Sequence, residues 1–439
     1  MYSIELFKSV IILINEILKG EDMFKYIIEQ SGHLSGEIDI SGSKNAALPI
    51  IAASLLADGD VVLKNIPCLS DTTLMCDILK CFGAKVTAEK NTLYINSSNL
   101  KNYIAPYDLS SKIRGSFLVM GPMLARCGKV RISLPGGCPI GTRPVDLHLK
   151  AFAQMGAEIL TGHGYIDVSS KKLTGAKIHL DFPSVGATEN IMMAAVGANG
   201  TTYIGNASQE PEIVDLANFL NKSGAKIYGA GTDEIKIVGR TPLSPCEYSV
   251  IPDRIEAGTF MVAAAITGGK ITLNNVIPNH LSPVIAKLTE LGVKISAKNT
   301  TINITANSPL HCADVKTMPH PGFPTDMQAL MMSLLSVCDG TSVICETIFE
   351  NRFMHAPELV RMGASIKTDG RCAIINGRPY LTGACVKATD LRAGAALSIA
   401  ALCAKGKSEI SDIYHIERGY ELFDEKLIKL GAKILKVKR

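Results

Sequence analysis

Apolar positions along this chain fall into two patterns that alternate from end to end. In the first, an amphipathic helical stretch closes on a glycine and gives way to a short alternating run. It appears as ILKCFGAKVTA, AFAQMGAEILT, FLNKSGAKIYG, KLTELGVKISA, ELVRMGASIKT and LIKLGAKILKV. The closing glycines, Gly83, Gly156, Gly224, Gly292, Gly363 and Gly431, are spaced by roughly 70 residues, the mark of an internal repeat. A glycine past the last helical turn supplies the left-handed cap from which a strand can start. The second pattern is an almost wholly apolar helix, a glycine-containing turn and an alternating strand. Examples are ALPIIAASLLADGDVVLKNI, NIMMAAVGANGTTYIGN, TFMVAAAITGGKITLNN and AALSIAALCAKGKSEISDI. A helix that is apolar all round is buried all round. Six such units, each with two helices and several strands, predict an α/β protein of two domains. Each domain would hold three units, with buried helices enclosed by sheets.

Length agrees with this division, since 439 residues exceed one ordinary core and suit two domains of roughly 200 residues. The strand-like EYSVI runs into Pro252, placing one boundary at Ser249–Asp253. A second crossing is expected near Ser41–Lys44, where the first strand, EIDIS, ends. The predicted domains are therefore 43–250, and 23–42 together with 251–439. Two crossings make a hinge, and the cleft between the domains is the default ligand site.

Residues 1–22 fall outside the repeats and are expected to be a dispensable extension, with the functional chain starting near Met23. Lys19-Gly20-Glu21-Asp22 suits a purine-rich stretch resembling a ribosome-binding site just before that methionine. The other reading is a short amphipathic helix docked on the surface. The apolar run Val10–Ile14 falls well short of the about 20 residues that span a bilayer. No small-residue cleavage site follows it, which argues against a signal peptide.

Composition adds exclusions. With 47% hydrophobic and 20% charged residues the chain reads as a soluble globular protein without membrane insertion. A net charge of +4 with no concentrated basic run argues against nucleic acid as a partner. The twelve cysteines stand singly and form no C-x-x-C pair, so neither a zinc site nor a disulfide framework is expected. Scattered free thiols fit a reducing cytosol, hence a cytoplasmic protein.

Four polar, irregular segments interrupt the repeats, and sites concentrate in such loops. Ser41-Gly42-Ser43-Lys44-Asn45 sets a lysine at the start of an apolar helix. That position suits an anion, because backbone N–H groups and the helix dipole converge there; a plain solvated lysine is the other reading. Leu134–Asp146 holds three glycines and three prolines, so it is a shaped loop, and it displays Cys138 close to Arg143. A loop cysteine beside a cation reads as reactive, whereas the other cysteines read as structural. Pro319–Met327 fixes Asp326 just before the apolar run Leu330–Val337. Asp326 could cap that helix or act as a general base toward a hydroxyl. Finally Arg352, Arg392 and Arg418 lie in basic loops of successive repeats. Together their guanidinium forks would suit a small, highly charged anion; singly each could be a surface ion pair.

The segments SGSKNAALPI, PGGCPIGTRPVDLH, PSVGAT, EPEIVD, PDRIEAGTF, FPTDMQ, ENRFMH, TDLRAG and ERGYE carry a resemblance. From about residue 24 to the C-terminus the chain resembles the UDP-N-acetylglucosamine enolpyruvyl transferases of the wider EPSP synthase family. The resemblance implies a two-domain, inside-out α/β barrel of six βαβαββ units with the active site in the interdomain cleft. It implies transfer of the enolpyruvyl group of phosphoenolpyruvate to the 3-hydroxyl of UDP-N-acetylglucosamine, with no metal or organic cofactor. Lys44, Arg143 and Arg418 would hold phosphoenolpyruvate. Asn45, Arg114, Arg143, Pro144, Val145, Asp146, Leu147, Ser184, Val185, Asp326 and Ile348 would contact the UDP-sugar. Cys138 would donate a proton to the enolpyruvyl methylene carbon and be the target of fosfomycin, and Asp326 would deprotonate the sugar hydroxyl. Arg352, Asp390 and Arg392 match cleft residues of the family. Two departures stand out. Phe182-Pro183 precedes Ser184 where some relatives carry a lysine, and Thr73 replaces a second acid near Asp71. A shikimate-type enolpyruvyl transferase and a non-catalytic UDP-sugar sensor are the competing readings.

Overall fold

The computed structural model describes residues 24–133, 145–240, 243–307 and 309–438. The extension, the loop bearing Cys138 and Arg143, and Pro144 lie outside them. Buried apolar side chains gather into two clusters. One takes residues from Ala46 to Val250, and the other joins Tyr26, Ile28, Leu34, Ile38 and Ile40 to residues from Ile255 to Ile434.

At the centre of the second cluster the helices Arg254–Ile266, Gln328–Leu335 and Leu391–Cys403 pack on one another. In the first, Met120–Cys127 packs on Val185–Gly197, which also touches Lys44–Ala53. These are apolar helices of the kind the second sequence pattern predicts, and most residues of each are buried. Close approach demands a small residue at one crossing: a Cβ on Gly121 would lie 2.3 Å from the Asn190 carbonyl oxygen.

Around the helices stand six sheets among the described residues, five of four strands and one of three. Each four-stranded sheet joins antiparallel neighbours to one strand in parallel. In the three-stranded sheet the parallel neighbour shrinks to a single bridge between Ile104 and Arg131. The closing glycines of the first sequence pattern all take positive φ, from 88° at Gly156 and Gly363 to 110° at Gly224, as a left-handed cap requires.

The two connections between the halves run side by side. Ser43 N–H donates to Ile251 O and Asp253 N–H to Ser41 O, both at 2.8 Å, with Gly42 bridged to Pro252. Before the first connection, strand Ser35–Asp39 pairs with Lys270–Asn274 in the second half, and before the other, Glu247–Ser249 pairs with Asp60–Lys64 in the first. Each end of the first half is thus tied by a strand. Gly42 has no room for a side chain, since a Cβ would lie 1.7 Å from Asn65 O.

One expectation needs correction. Cys345 and Cys372 are joined by a disulfide, not present as single free thiols. They sit opposite each other on the antiparallel strands Thr341–Cys345 and Cys372–Asn376. A separation of 27 residues gives no spacing signal, and only strand register brings the pair together. The other described cysteines are free. Among the described residues no helix is long and apolar enough to cross a membrane.

Candidate active site

Lys44 opens the Lys44–Ala53 helix directly after the first crossing, and Ser43 caps that helix by accepting from Ala46 N–H. The Lys44 side chain turns onto Asp71, with Nζ 3.2 Å from Oδ2. Burial pushes its pKa down, Asp71 opposes that shift, and Arg392 and Arg418 add to it. Lys44 therefore senses both arginines.

Asp71 was not anticipated as a site residue. It lies in the first turn of the Ser70–Phe82 helix, where an acid reads simply as complement to the helix dipole. In the folded chain it is buried, at 5% exposure, and receives Lys44 on one oxygen and Arg418 Nε on the other at 2.9 Å. Arg418 also donates to Lys112 O. Three residues on, Glu421 accepts from Cys68 N–H and Asn91 Nδ2, each at 2.9 Å. The ERGYE segment of one half is thereby docked on the other half.

Asp326 sits in the short helical turn Thr325–Met327, before the Gln328–Leu335 helix. Its carboxylate does not cap that helix. Arg352 Nη2 donates to Oδ1 at 2.8 Å, and Arg392 Nη2 donates to Oδ2 at 2.9 Å. Both arginines are buried, at 4% and 3% exposure. Burial by itself would raise the Asp326 pKa, but Arg392 and then Arg352 outweigh it and hold the group far below the usual carboxylate range. Arg392 lies over the Tyr420 ring, 5.2 Å from its centroid. Its Nε and Nη1 have no hydrogen-bond acceptor among the described residues.

Local capping explains how two of these groups are aimed. Asp390 accepts from Arg392 N–H and Ala393 N–H at 2.9 and 3.1 Å, starting the Leu391–Cys403 helix one residue before Arg392. Glu346, also not anticipated, is buried and accepts from Ile348 N–H at 2.8 Å and Phe349 N–H at 3.2 Å. Its other oxygen accepts from the Thr325 hydroxyl at 2.8 Å, which ties the Ile348 loop to the Asp326 turn.

The remaining sequence-predicted residues are in the first half. Asn45 follows Lys44 on the same helix, and Arg114 begins the helical turn Arg114–Val119. Val145, Asp146 and Leu147 stand at the start of the Asp146–Gln154 helix, Asp146 exposed and 3.5 Å from Lys150. Ser184 caps the Val185–Gly197 helix by accepting from Ala187 N–H. Cys138, Arg143 and Pro144 lie outside the described residues.

A half-buried carboxylate clamped by two arginines, with a lysine and an arginine from opposite halves joined on Asp71, has the charge to hold a small anion. The fold and the site define a class, that of the carboxyvinyl transferases. The family described as EPSP synthase (3-phosphoshikimate 1-carboxyvinyltransferase) matches residues 28–427. Among solved structures, the enolpyruvyl transferase NikO from Streptomyces tendae superposes with a TM-score of 0.87 at 26% identity, covering 95% of this chain and 99% of that one. EPSP synthase from Acinetobacter baumannii shares the fold with a TM-score of 0.77 at 20% identity, covering 94% and 100%. A UDP-N-acetylglucosamine 1-carboxyvinyltransferase of Caldanaerobacter subterraneus is 59% identical over 93% of this chain and 99% of its own length. Another from Carboxydothermus hydrogenoformans is 55% identical over 94% and 100%. The chain belongs to the EPSP synthase family, and within it to the UDP-N-acetylglucosamine 1-carboxyvinyltransferases.

Proposed function

We infer that this chain transfers the enolpyruvyl group of phosphoenolpyruvate to the 3-hydroxyl of UDP-N-acetylglucosamine, releasing phosphate in the first committed step of peptidoglycan precursor synthesis. The observation that carries this reading is Asp326 clamped by Arg352 and Arg392, with Lys44 and Arg418 joined on Asp71, in a chain 59% identical to an enzyme named for that activity. The protein would work in the cytoplasm as two hinged domains, 43–250 and 23–42 plus 251–439.

Chemistry assigns the roles. Addition places the sugar oxygen on C2 of phosphoenolpyruvate and a proton on C3, so C2 passes through oxocarbenium character. Cys138 supplies the C3 proton, and Asp326 receives the hydroxyl proton. Lys44, Arg143 and Arg418 stabilise charge on the carboxylate and phosphate. In the elimination that follows, C3 returns a proton to the thiolate and the C2–O bond to phosphate breaks. The proton held by Asp326 leaves with the phosphate. Asn45, Arg114, Ser184, Val185, Ile348 and the segment from Arg143 to Leu147 bind the nucleotide sugar. Fosfomycin, a small electrophile joined to a phosphonate, would follow the same cations to the Cys138 sulfur.

Mass spectrometry of the nucleotide product tests the reading. The enolpyruvyl ether of UDP-N-acetylglucosamine is expected with the wild type. For Asp326→Asn, turnover should fall by roughly 10²–10⁴-fold, the scale of a general base, with sugar binding largely kept. Near-normal turnover of that variant would remove Asp326 from the mechanism.

A further inference from the structure

A carboxylate held by two buried guanidinium groups is a poor proton acceptor, yet Asp326 is the acceptor in the function inferred above, on which this inference rests. The two arginines are not equivalent. Each has a ring against its guanidinium, Phe349 for Arg352 at 5.4 Å and Tyr420 for Arg392 at 5.2 Å, so the difference lies in their donors. Arg392 gives Asp326 only Nη2 and keeps Nε and Nη1 buried without acceptors among the described residues. Unpaired buried donors are costly, and a guanidinium cannot shed its charge to escape that cost. Arg392 therefore carries spare donor capacity that no described residue fills within hydrogen-bonding distance. It also repels Lys44, which faces Arg418 as well, so an anion bound near these cations would relieve all three.

We propose that Arg392 is a positioning residue that couples anion arrival to base strength: phosphoenolpyruvate draws the guanidinium off Asp326, and the freed carboxylate then takes the sugar hydroxyl proton. Before the anion binds, Asp326 stays ionised and tightly paired, so the base is silent. Once Arg392 turns to the anion, Arg352 alone holds Asp326 in place while one oxygen becomes available. Other charges around the pair do not substitute for this. Arg254 also senses Asp326 but is engaged with Glu212 at 3.0 Å. Asp253 acts on Arg392, while Asp390 and Arg352 act on His355. None of these is an anion that arrives with substrate.

Two pH profiles separate this coupling from a static role. The acid limb of kcat/KM for phosphoenolpyruvate, at saturating UDP-N-acetylglucosamine, reports Asp326 before the anion binds; that of kcat reports the loaded complex. Coupling predicts that Arg392→Gln lifts the kcat/KM limb by at least about one pH unit and leaves the kcat limb nearly unmoved. The ionisation of phosphoenolpyruvate sets the wild-type limb, so the comparison is read as the Arg392→Gln limb rising above it; a kcat/KM limb that does not move would overturn the proposal. Equal shifts of both limbs would overturn the proposal, because Arg392 would then stay on Asp326 throughout. Should Arg392→Gln fail to fold, proton uptake decides. On adding inorganic phosphate to the UDP-N-acetylglucosamine complex near pH 5, the wild type should take up more protons than Asp326→Asn. Equal uptake would overturn the proposal. A wild type that releases no phosphate from phosphoenolpyruvate with UDP-N-acetylglucosamine would instead refute the function reading itself.

Discussion

Arg418 and Asp71 stand 347 residues apart in sequence and 2.9 Å apart in space, and the same carboxylate holds Lys44. Asp71 thus joins cations from opposite halves of the molecule and fixes where they meet. Asp71→Asn keeps the shape but turns an amide NH2 toward one of the two cations. We expect KM for phosphoenolpyruvate to rise about tenfold or more, equivalent to about 1.4 kcal/mol, with UDP-N-acetylglucosamine affinity little changed. Initial-rate kinetics and calorimetry check this pair of results. An unaltered KM would make Asp71 a helix-start acid and nothing more.

Glu421 extends the same junction. It accepts from Cys68 N–H and Asn91 across the interface, three residues beyond Arg418. Glu421→Ala and Asn91→Ala should each weaken phosphoenolpyruvate binding. The double variant should be no worse than the poorer single one, giving a coupling within the usual 0.5–3 kcal/mol range, roughly, for directly contacting residues. Additive losses would mean that the two side chains act separately. Hydrogen exchange at the Cys68 amide should slow when UDP-N-acetylglucosamine closes the cleft.

His148 provides a pH-dependent test of the first half. Burial and then Arg114, partly opposed by Asp146, push its pKa down to about 4. Its Nδ1 lies 3.0 Å from Asn190 Nδ2, and its ring meets Phe117 edge-on. The unfolded chain therefore binds the proton more readily. This contribution to stability is complete above pH 6.5 and is lost as pH falls toward 4, on the order of 3 kcal/mol. Urea unfolding at pH 7 and pH 5 should show a shallower pH dependence for His148→Gln than for the wild type. Parallel slopes would contradict the neutral, buried state of this ring.

In the proposed mechanism Cys138 is the proton donor. Fosfomycin should add once, at the peptide containing Cys138, and more readily when UDP-N-acetylglucosamine is bound. Cys138→Ala should lose labelling and most turnover. Cys138→Asp should resist labelling yet retain appreciable activity, because a carboxylic acid still donates a proton. Label on another thiol, found by peptide mapping, would relocate the acid.

Much of this was legible before folding. The repeat glycines and the apolar helices could be read because their backbone and burial requirements are local, and Asp326, Arg352, Arg392 and Arg418 stood out in loops between rigid elements. What escaped depends on contacts between distant segments. Asp71 looks like any acid in a first helical turn, and Glu346 like any residue after a strand, until Arg418 and Thr325 arrive beside them. The Cys345–Cys372 pair escaped for the same reason, since strand register decides it. Whether Asp326 capped a helix was also undecidable locally; Arg352 reaches it from the far end of the same repeat and Arg392 from the next one.

Phosphate release from phosphoenolpyruvate with each of two acceptors is the most direct test of the whole account. The purified chain is predicted to release phosphate rapidly with UDP-N-acetylglucosamine and negligibly with shikimate 3-phosphate. Release with shikimate 3-phosphate, or none with either acceptor, would contradict it.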